Sequence, residues 1–327
     1  MDNSQATGFA REFASINGAV STAIVGKTNT IGLVLTALFA GGHVLLEDVP
    51  GTGKTSLAKA LSAAVHGTHG RIQFTPDLLP SDVVGANIFD QARQVFEFRE
   101  GPAFCSILLA DEVNRASPKT QSALLQVMEE RAITIDKTTH PVAPPFMVIA
   151  TQNPVEQLGT YPLPEAQLDR FLIRTALGYP DHANAVALVQ ESARIDRTTS
   201  IQPVVTTERV VELSRIASEA YVAPGVLDYI VSLIEATRVD TRCELGVSMR
   251  GGLALARCGK VYAMAQARNY VTPDDIKALA HAVLAHRLII SPDAQIDGIK
   301  ADDVIRDVLR TVPTPAAGDP RMAHAAS

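Results

Sequence analysis

Three short stretches place reactive side chains at spacings that suit phosphate chemistry. The first is Leu45-Leu46-Glu47-Asp48-Val49-Pro50-Gly51-Thr52-Gly53-Lys54-Thr55, which reads as a strand, a glycine turn and a helix start. The pattern G-x-x-x-x-G-K-[ST] describes a loop that cradles phosphates. Gly53, Lys54 and Thr55 fit it, whereas Asp48 stands where the first glycine belongs. Gly51 and Gly53 permit positive φ and a close backbone approach to an anion. Successive N–H groups then form a nest, and the following helix adds its positive end. Lys54 is expected to reach the β- and γ-phosphates, and the Thr55 hydroxyl to ligate Mg²⁺. Pro50, Thr52 and Ser56 complete the expected nucleotide-binding run. Taken alone, the stretch also fits a glycine-rich turn with a surface lysine.

The second stretch is Ile107-Leu108-Leu109-Ala110, a continuous apolar run that predicts a strand buried on both faces. It ends in Asp111-Glu112. In open α/β sheets ligands bind at the carboxyl ends of the strands. Two carboxylates there are costly unless they serve a purpose. Asp111 is expected to hold Mg²⁺, directly or through water, and Glu112 to polarise the attacking water. A dipole-favoured acidic helix start is the plainer alternative. The third stretch, Phe146 to Ala150, predicts another buried strand ending in Thr151-Gln152-Asn153. Asn153 suits the positioning of a water or a γ-phosphate oxygen, or a turn.

The elements that must carry these groups alternate as strand and helix. Helices are expected over residues 7–25, 29–40 and 56–65, and strands over 43–47, 71–74 and 171–175. Ser117-Pro118 predicts the start of a helix running to about Arg131. Two β-hairpins interrupt the alternation, one around residues 86–99 and one around 132–142. After Gly178 strands become rare. Helical periodicity is expected over residues 181–191, 207–220, 225–238, 248–268 and 273–286. Residues 1–177 therefore read as an α/β core with a parallel sheet, 178–310 as a small all-α domain, and 311–327 as a disordered tail.

Composition narrows the function. The net charge is −6 and no Lys/Arg cluster occurs, so a nucleic-acid surface is not expected. Three scattered cysteines and no apolar leader predict a cytoplasmic protein. The longest apolar run is too short to span a bilayer. His66 with His69, and His281 with His286, lack a carboxylate or Cys at zinc spacing.

With these residues in view, the chain resembles the MoxR family of AAA+ ATPases from Ile24 to about Arg287. The likeness rests on the phosphate loop with its Asp48 and on residues 71–82, from Arg71-Ile72-Gln73-Phe74 onward. It rests also on residues 109–121, from Leu109-Ala110-Asp111-Glu112 onward, and on Ala150-Thr151-Gln152-Asn153-Pro154. The run Gly159-Thr160-Tyr161-Pro162-Leu163-Pro164-Glu165-Ala166-Gln167-Leu168-Asp169-Arg170-Phe171 is the most distinctive. The resemblance implies a P-loop NTPase (AAA+) fold: a five-stranded parallel sheet with hairpin insertions, followed by a helical lid. It implies Walker A at Gly51, Gly53, Lys54 and Thr55, Walker B at Asp111 and Glu112, and sensor 1 at Asn153. It further implies an arginine finger at Arg170, sensor 2 at Arg250, and an adenine-pocket segment at Val25 and Gly26. Met249 stands where the family commonly has proline. Arg170 is ranked ahead of Arg115 as the finger, because trans stabilisation is attested for this chemistry.

The function so implied is ATP hydrolysis with ATP and Mg²⁺ by a ring oligomer, a hexamer. The ring would remodel protein complexes or assist metal or cofactor insertion, with a von Willebrand factor A domain protein as partner. Two alternatives are a magnesium-chelatase-like motor subunit and a nucleotide-gated assembly module with little turnover. A nucleic-acid motor is disfavoured by the acidic charge balance.

Overall fold

A computed structural model describes residues 3–153, 159–191 and 197–315. They form two compact units. One holds residues 15–171 and 175–211; the other holds the chain before Ser15, Leu172–Arg174 and the chain from Glu212 onward.

The α/β elements follow one another as α1 (Asn3–Ala23), α2 (Thr28–Phe39), β1 (Val44–Glu47), α3 (Lys54–Ala64) and β2 (His69–Gln73). Next come α4 (Pro80–Val84), β3 (Gly85–Asp90), β4 (Val95–Glu100), β5 (Ile107–Asp111) and α5 (Pro118–Glu130). They end with β6 (Ala132–Ile135), β7 (Thr138–Pro141), β8 (Met147–Gln152), α6 (Glu165–Leu168), β9 (Ile173–Thr175) and α7 (His182–Glu191). The main sheet has the order β2-β5-β8-β1-β9. β2 with β5, β5 with β8, and β8 with β1 all pair in parallel. Ile107 to Ala110 on β5 and Met147 to Ala150 on β8 are wholly buried, as their unbroken apolar runs predict. The core on one side gathers Leu108, Ala110, Val148 and Ala150 with Leu124, Leu125 and Met128 of α5. Helix α5 starts where the sequence places it: Ser117 Oγ accepts from the Thr120 N–H at 3.4 Å, with Pro118 behind it. Both expected hairpins form, β3 with β4 and β6 with β7, each antiparallel.

The chain continues with α8 (Thr207–Ser218), β10 (Tyr221–Val222), α9 (Pro224–Val239), β11 (Cys243–Leu245) and α10 (Met249–Ala265). It then forms β12 (Tyr270–Val271), α11 (Pro273–Leu284), β13 (Ile289–Ile290), α12 (Pro292–Ile296) and α13 (Ala301–Thr311). Within the helical unit, α10 lies close against α9. A Cβ on Gly252 would come within 2.4 Å of Ile234 Cδ1, so glycine sets the approach. Helix α13 escapes the sequence reading, with five of its eleven residues charged. It nevertheless buries Val304, Ile305 and Val308 on one face. The two-residue pairings β10–β12 and β11–β13 are too short to show periodicity. The expected tail begins at Thr311, which still belongs to α13; residues 316–327 lie outside the described residues.

One ion pair stands out in this unit. Asp275 is almost fully buried and closes a capping box with Thr272 at the start of α11. It also accepts two hydrogen bonds from Arg268, one at 2.8 Å from Nη1. That carboxylate holds the guanidinium more firmly protonated than usual. Asp275→Ala removes both roles and is expected to cost about 2 kcal/mol, since it takes the cap from α11 and the acceptor from a partly buried guanidinium. The urea midpoint of the helical unit measures this; a shift corresponding to under 0.5 kcal/mol would contradict it.

Candidate active site

The carboxyl ends of β1, β8 and β5 are adjacent in the sheet, and each delivers one of the three reactive stretches. Together they line a cleft of about 390 Å³, formed by Asp48, the run Pro50 to Ser56, Asp111, Glu112, Thr151, Gln152 and Asn153. The topology therefore brings together residues more than 100 positions apart.

Gly51 and Gly53 take φ of +82° and +94°, and Gly53 is the residue before α3. Nothing lies within 4 Å of where a Gly51 Cβ would stand, so the loop faces open space there. Lys54 is held inside the loop: its Nζ donates to Val49 O at 2.8 Å and to Asp48 O at 3.3 Å. Thr55 and Ser56 follow on the first turn of α3 and line the cleft.

Asp48 explains the departure from the loop pattern. It is buried, and its carboxylate accepts the backbone N–H groups of Leu177 and Gly178, the latter at 3.0 Å. A glycine there would leave those amides without this acceptor. The substituted residue thus ties the start of the phosphate loop to a segment 129 positions away.

The acidic pair is held just as closely. Asp111 Oδ1 accepts the Thr151 hydroxyl at 2.7 Å, and that hydroxyl accepts the Glu112 N–H at 2.9 Å. One hydroxyl therefore pins β8 to the end of β5. Asp111 Oδ2 faces the Arg71 guanidinium at 3.0 Å. Glu112 takes a left-handed backbone conformation, φ +55°, which turns its side chain out of the strand. Its Oε2 accepts from Gln73 Nε2 at 2.8 Å and from Arg115 Nη1 at 3.0 Å. Arg115, by sequence a rival to Arg170 as finger, touches the carboxylate of its own chain. Arg71, Gln73 and Thr151 were not singled out as site residues. Arg71 and Gln73 lie on β2, paired with Leu109 and Asp111 of β5, and only that register reveals the contact.

The remaining predicted residues are more scattered. Asn153 is buried at the cleft wall. Arg170 is half-buried and pairs with Glu129 of α5 at 3.1 Å; it does not line its own cleft. Val25 and Gly26 follow α1 and are also outside the lining. Their neighbour Ile24 reaches to 4.0 Å from where a Gly53 Cβ would stand, and Asn184 covers Gly26. Arg250 is exposed on the first turn of α10, where its N–H donates to the Ser248 cap at 3.2 Å.

The donors suit Mg²⁺ and a polyphosphate. The Thr55 hydroxyl and the Asp111 carboxylate are hard oxygen ligands on one cleft. The glycine turn and the α3 N-terminus offer N–H groups to an anion beside them.

A P-loop fold of the AAA class is thereby defined, and comparison with known proteins agrees. Residues 43–173 match the family described as ATPase family associated with various cellular activities (AAA), and residues 235–308 match the AAA lid domain. The chain is 45% identical to the uncharacterized protein YeaC of Bacillus subtilis over 90% of this chain and 92% of that one. It is 39% identical to Chaperone MoxR1 of Mycobacterium tuberculosis, over 98% of this chain and 88% of that one. It is 30% identical to Protein MoxR of Methylorubrum extorquens, over 90% and 93% respectively. A crystal structure from Cytophaga hutchinsonii, described provisionally as an ATPase, superposes with a TM-score of 0.89 at 37% identity. That match covers 96% of this chain and 98% of that one. The chain belongs to the MoxR family of AAA+ ATPases.

Restoring the loop glycine tests the account of Asp48. Asp48→Gly matches the general pattern better, yet is expected to lower stability by about 2 kcal/mol, because two backbone donors lose their acceptor. Chemical denaturation of the nucleotide-free protein measures it; a neutral or stabilising change would overturn the account.

Proposed function

We propose that this protein binds ATP with Mg²⁺ and hydrolyses it as a ring oligomer, remodelling protein complexes. The supporting observation is the convergence of Lys54, Thr55, Asp111, Glu112 and Asn153 on one cleft at the carboxyl edge of three adjacent strands. In this reading the loop from Pro50 to Ser56 cradles the phosphates. Lys54 leaves the carbonyls of Asp48 and Val49 for the β- and γ-phosphates. Thr55 and Asp111 hold the metal, which supplies positive charge where the transferring phosphoryl group develops negative charge. Glu112 orients the attacking water and accepts its proton, and Asn153 positions that water or a γ-phosphate oxygen. Val25 and Gly26 border the adenine, and Arg250 acts as the lid's sensor.

Arg170 is assigned to the cleft of a neighbouring copy. It lies outside its own cleft and is held by Glu129 until a neighbour's nucleotide draws it away. A guanidinium supplied in this way stabilises the spreading phosphoryl charge. A head-to-tail contact of this kind closes into a ring when its rotation closes, and a hexamer is the size we favour. By likeness to a relative named as a chaperone, the clients are protein complexes undergoing maturation or metal or cofactor insertion. A protein with a von Willebrand factor A domain is the partner we propose. A cytoplasmic setting fits this role, and no described helix is long and apolar enough to cross a membrane.

Steady-state hydrolysis per subunit, measured against protein concentration, tests the reading. The specific rate is expected to climb and then saturate, because each cleft needs Arg170 from a neighbour. No hydrolysis at any concentration would sink it. Glu112→Gln is expected to bind ATP normally and lose turnover by at least about 10²-fold. Arg170→Ala is expected to bind ATP and lose about 10³-fold in rate. Mixing it with Lys54→Ala protein restores turnover if the finger acts in trans; no restoration would place Arg170 elsewhere.

A further inference from the structure

The two carboxylates at the end of β5 are joined by a bridge that the established family membership does not assign. Arg71 Nη2 donates to Asp111 Oδ2 at 3.0 Å and to Gln73 Oε1 at 3.1 Å. With its carbonyl oxygen committed to Arg71, the Gln73 amide presents its NH₂ to Glu112 Oε2 at 2.8 Å. Arg71, Gln73 and Glu112 thus form one directed chain, and Arg71 also holds Asp111. One guanidinium nitrogen, Nη2, thus serves both acceptors.

We propose that Arg71 is a positioning residue for hydrolysis, which couples the metal-binding carboxylate to the water-activating one. It acts in two opposite senses. At Asp111 it is a cation bound to one oxygen of the carboxylate proposed to hold the metal, so it competes with the metal. At Glu112 it acts through Gln73, which holds Oε2 together with Arg115 and leaves Oε1 to accept the proton from water. Asp111 keeps its orientation without Arg71, because Thr151 holds Oδ1. Loss of Arg71 therefore tightens metal binding and slows turnover together. A merely structural defect would weaken both, and a plain surface ion pair would alter neither. The inference rests on the proposed ATP and Mg²⁺ site.

The test measures Mn²⁺ binding to the full-length protein with a non-hydrolysable ATP analogue, by electron paramagnetic resonance, alongside kcat and KM for ATP. Arg71 is about half exposed, so its variants should fold. Arg71→Ala is expected to bind Mn²⁺ about 5-fold more tightly, the scale of an exposed ion pair. Its kcat is expected to fall about 10-fold with KM unchanged, the effect of a misplaced rather than absent group. Gln73→Ala should share the loss in kcat and keep wild-type Mn²⁺ affinity. Unchanged or weaker Mn²⁺ binding by Arg71→Ala, with the wild type binding normally, overturns the coupling. So does full activity in Gln73→Ala. If the wild type itself binds no Mn²⁺–nucleotide, the proposed function falls with it.

Discussion

A strand buried on both faces can carry charge only at its ends. β5 and β8 meet that constraint with apolar runs that stop at Asp111 and Thr151. Because the strands are parallel and adjacent, their polar ends fall on one edge, next to the loop that follows β1. The Thr151 hydroxyl then joins two of those ends, donating to Asp111 and accepting from the Glu112 backbone. The cleft is thus a product of the sheet order more than of any one motif. A different strand order would leave the same residues intact and the site dispersed.

The same edge explains why the phosphate loop tolerates an aspartate. A loop needing open backbone geometry would gain nothing from a side chain at its first position. Asp48 points away from that task, and its buried carboxylate accepts the Leu177 and Gly178 amides. Its own N–H meanwhile donates to Gln152 O across the β1–β8 pairing. The glycines that remain, Gly51 and Gly53, are the two with positive φ. Backbone freedom is retained where an anion must approach, and fixed where the loop leaves the sheet.

Much of the α/β fold was legible in the chain because its signals are local. Apolar runs announced β5 and β8, Ser117-Pro118 announced α5, and alternation announced the hairpins. Helix α13 went unread: five of its eleven residues are charged, although Val304, Ile305 and Val308 recur at helical spacing. The cleft was legible in outline, since the phosphate loop and the acidic pair are contiguous in sequence. What could not be read were contacts made across strands. Gln73 meets Glu112 only because β2 pairs with β5 in a register that sets Gln73 beside Asp111. The partners of Asp48 lie 129 and 130 positions away. Spacing along the chain carries no trace of either.

Four cations of the α/β unit share one feature. Lys54 is bound to carbonyls of its own loop, Arg71 to Asp111, Arg115 to Glu112, and Arg170 to Glu129. Each is held by an acceptor of its own chain. In the proposed reading a polyphosphate with its metal would exchange these contacts for new ones, and net affinity would reflect the difference between the two sets. Lys54 gives up neutral carbonyls, whereas the arginines give up carboxylates in partly exposed pairs worth little each. Lys54 can follow the phosphates with small opposition, and the arginines can be redirected one at a time. In the proposed reading the cleft of one copy would bind nucleotide first, with Arg170 of a neighbour arriving afterwards.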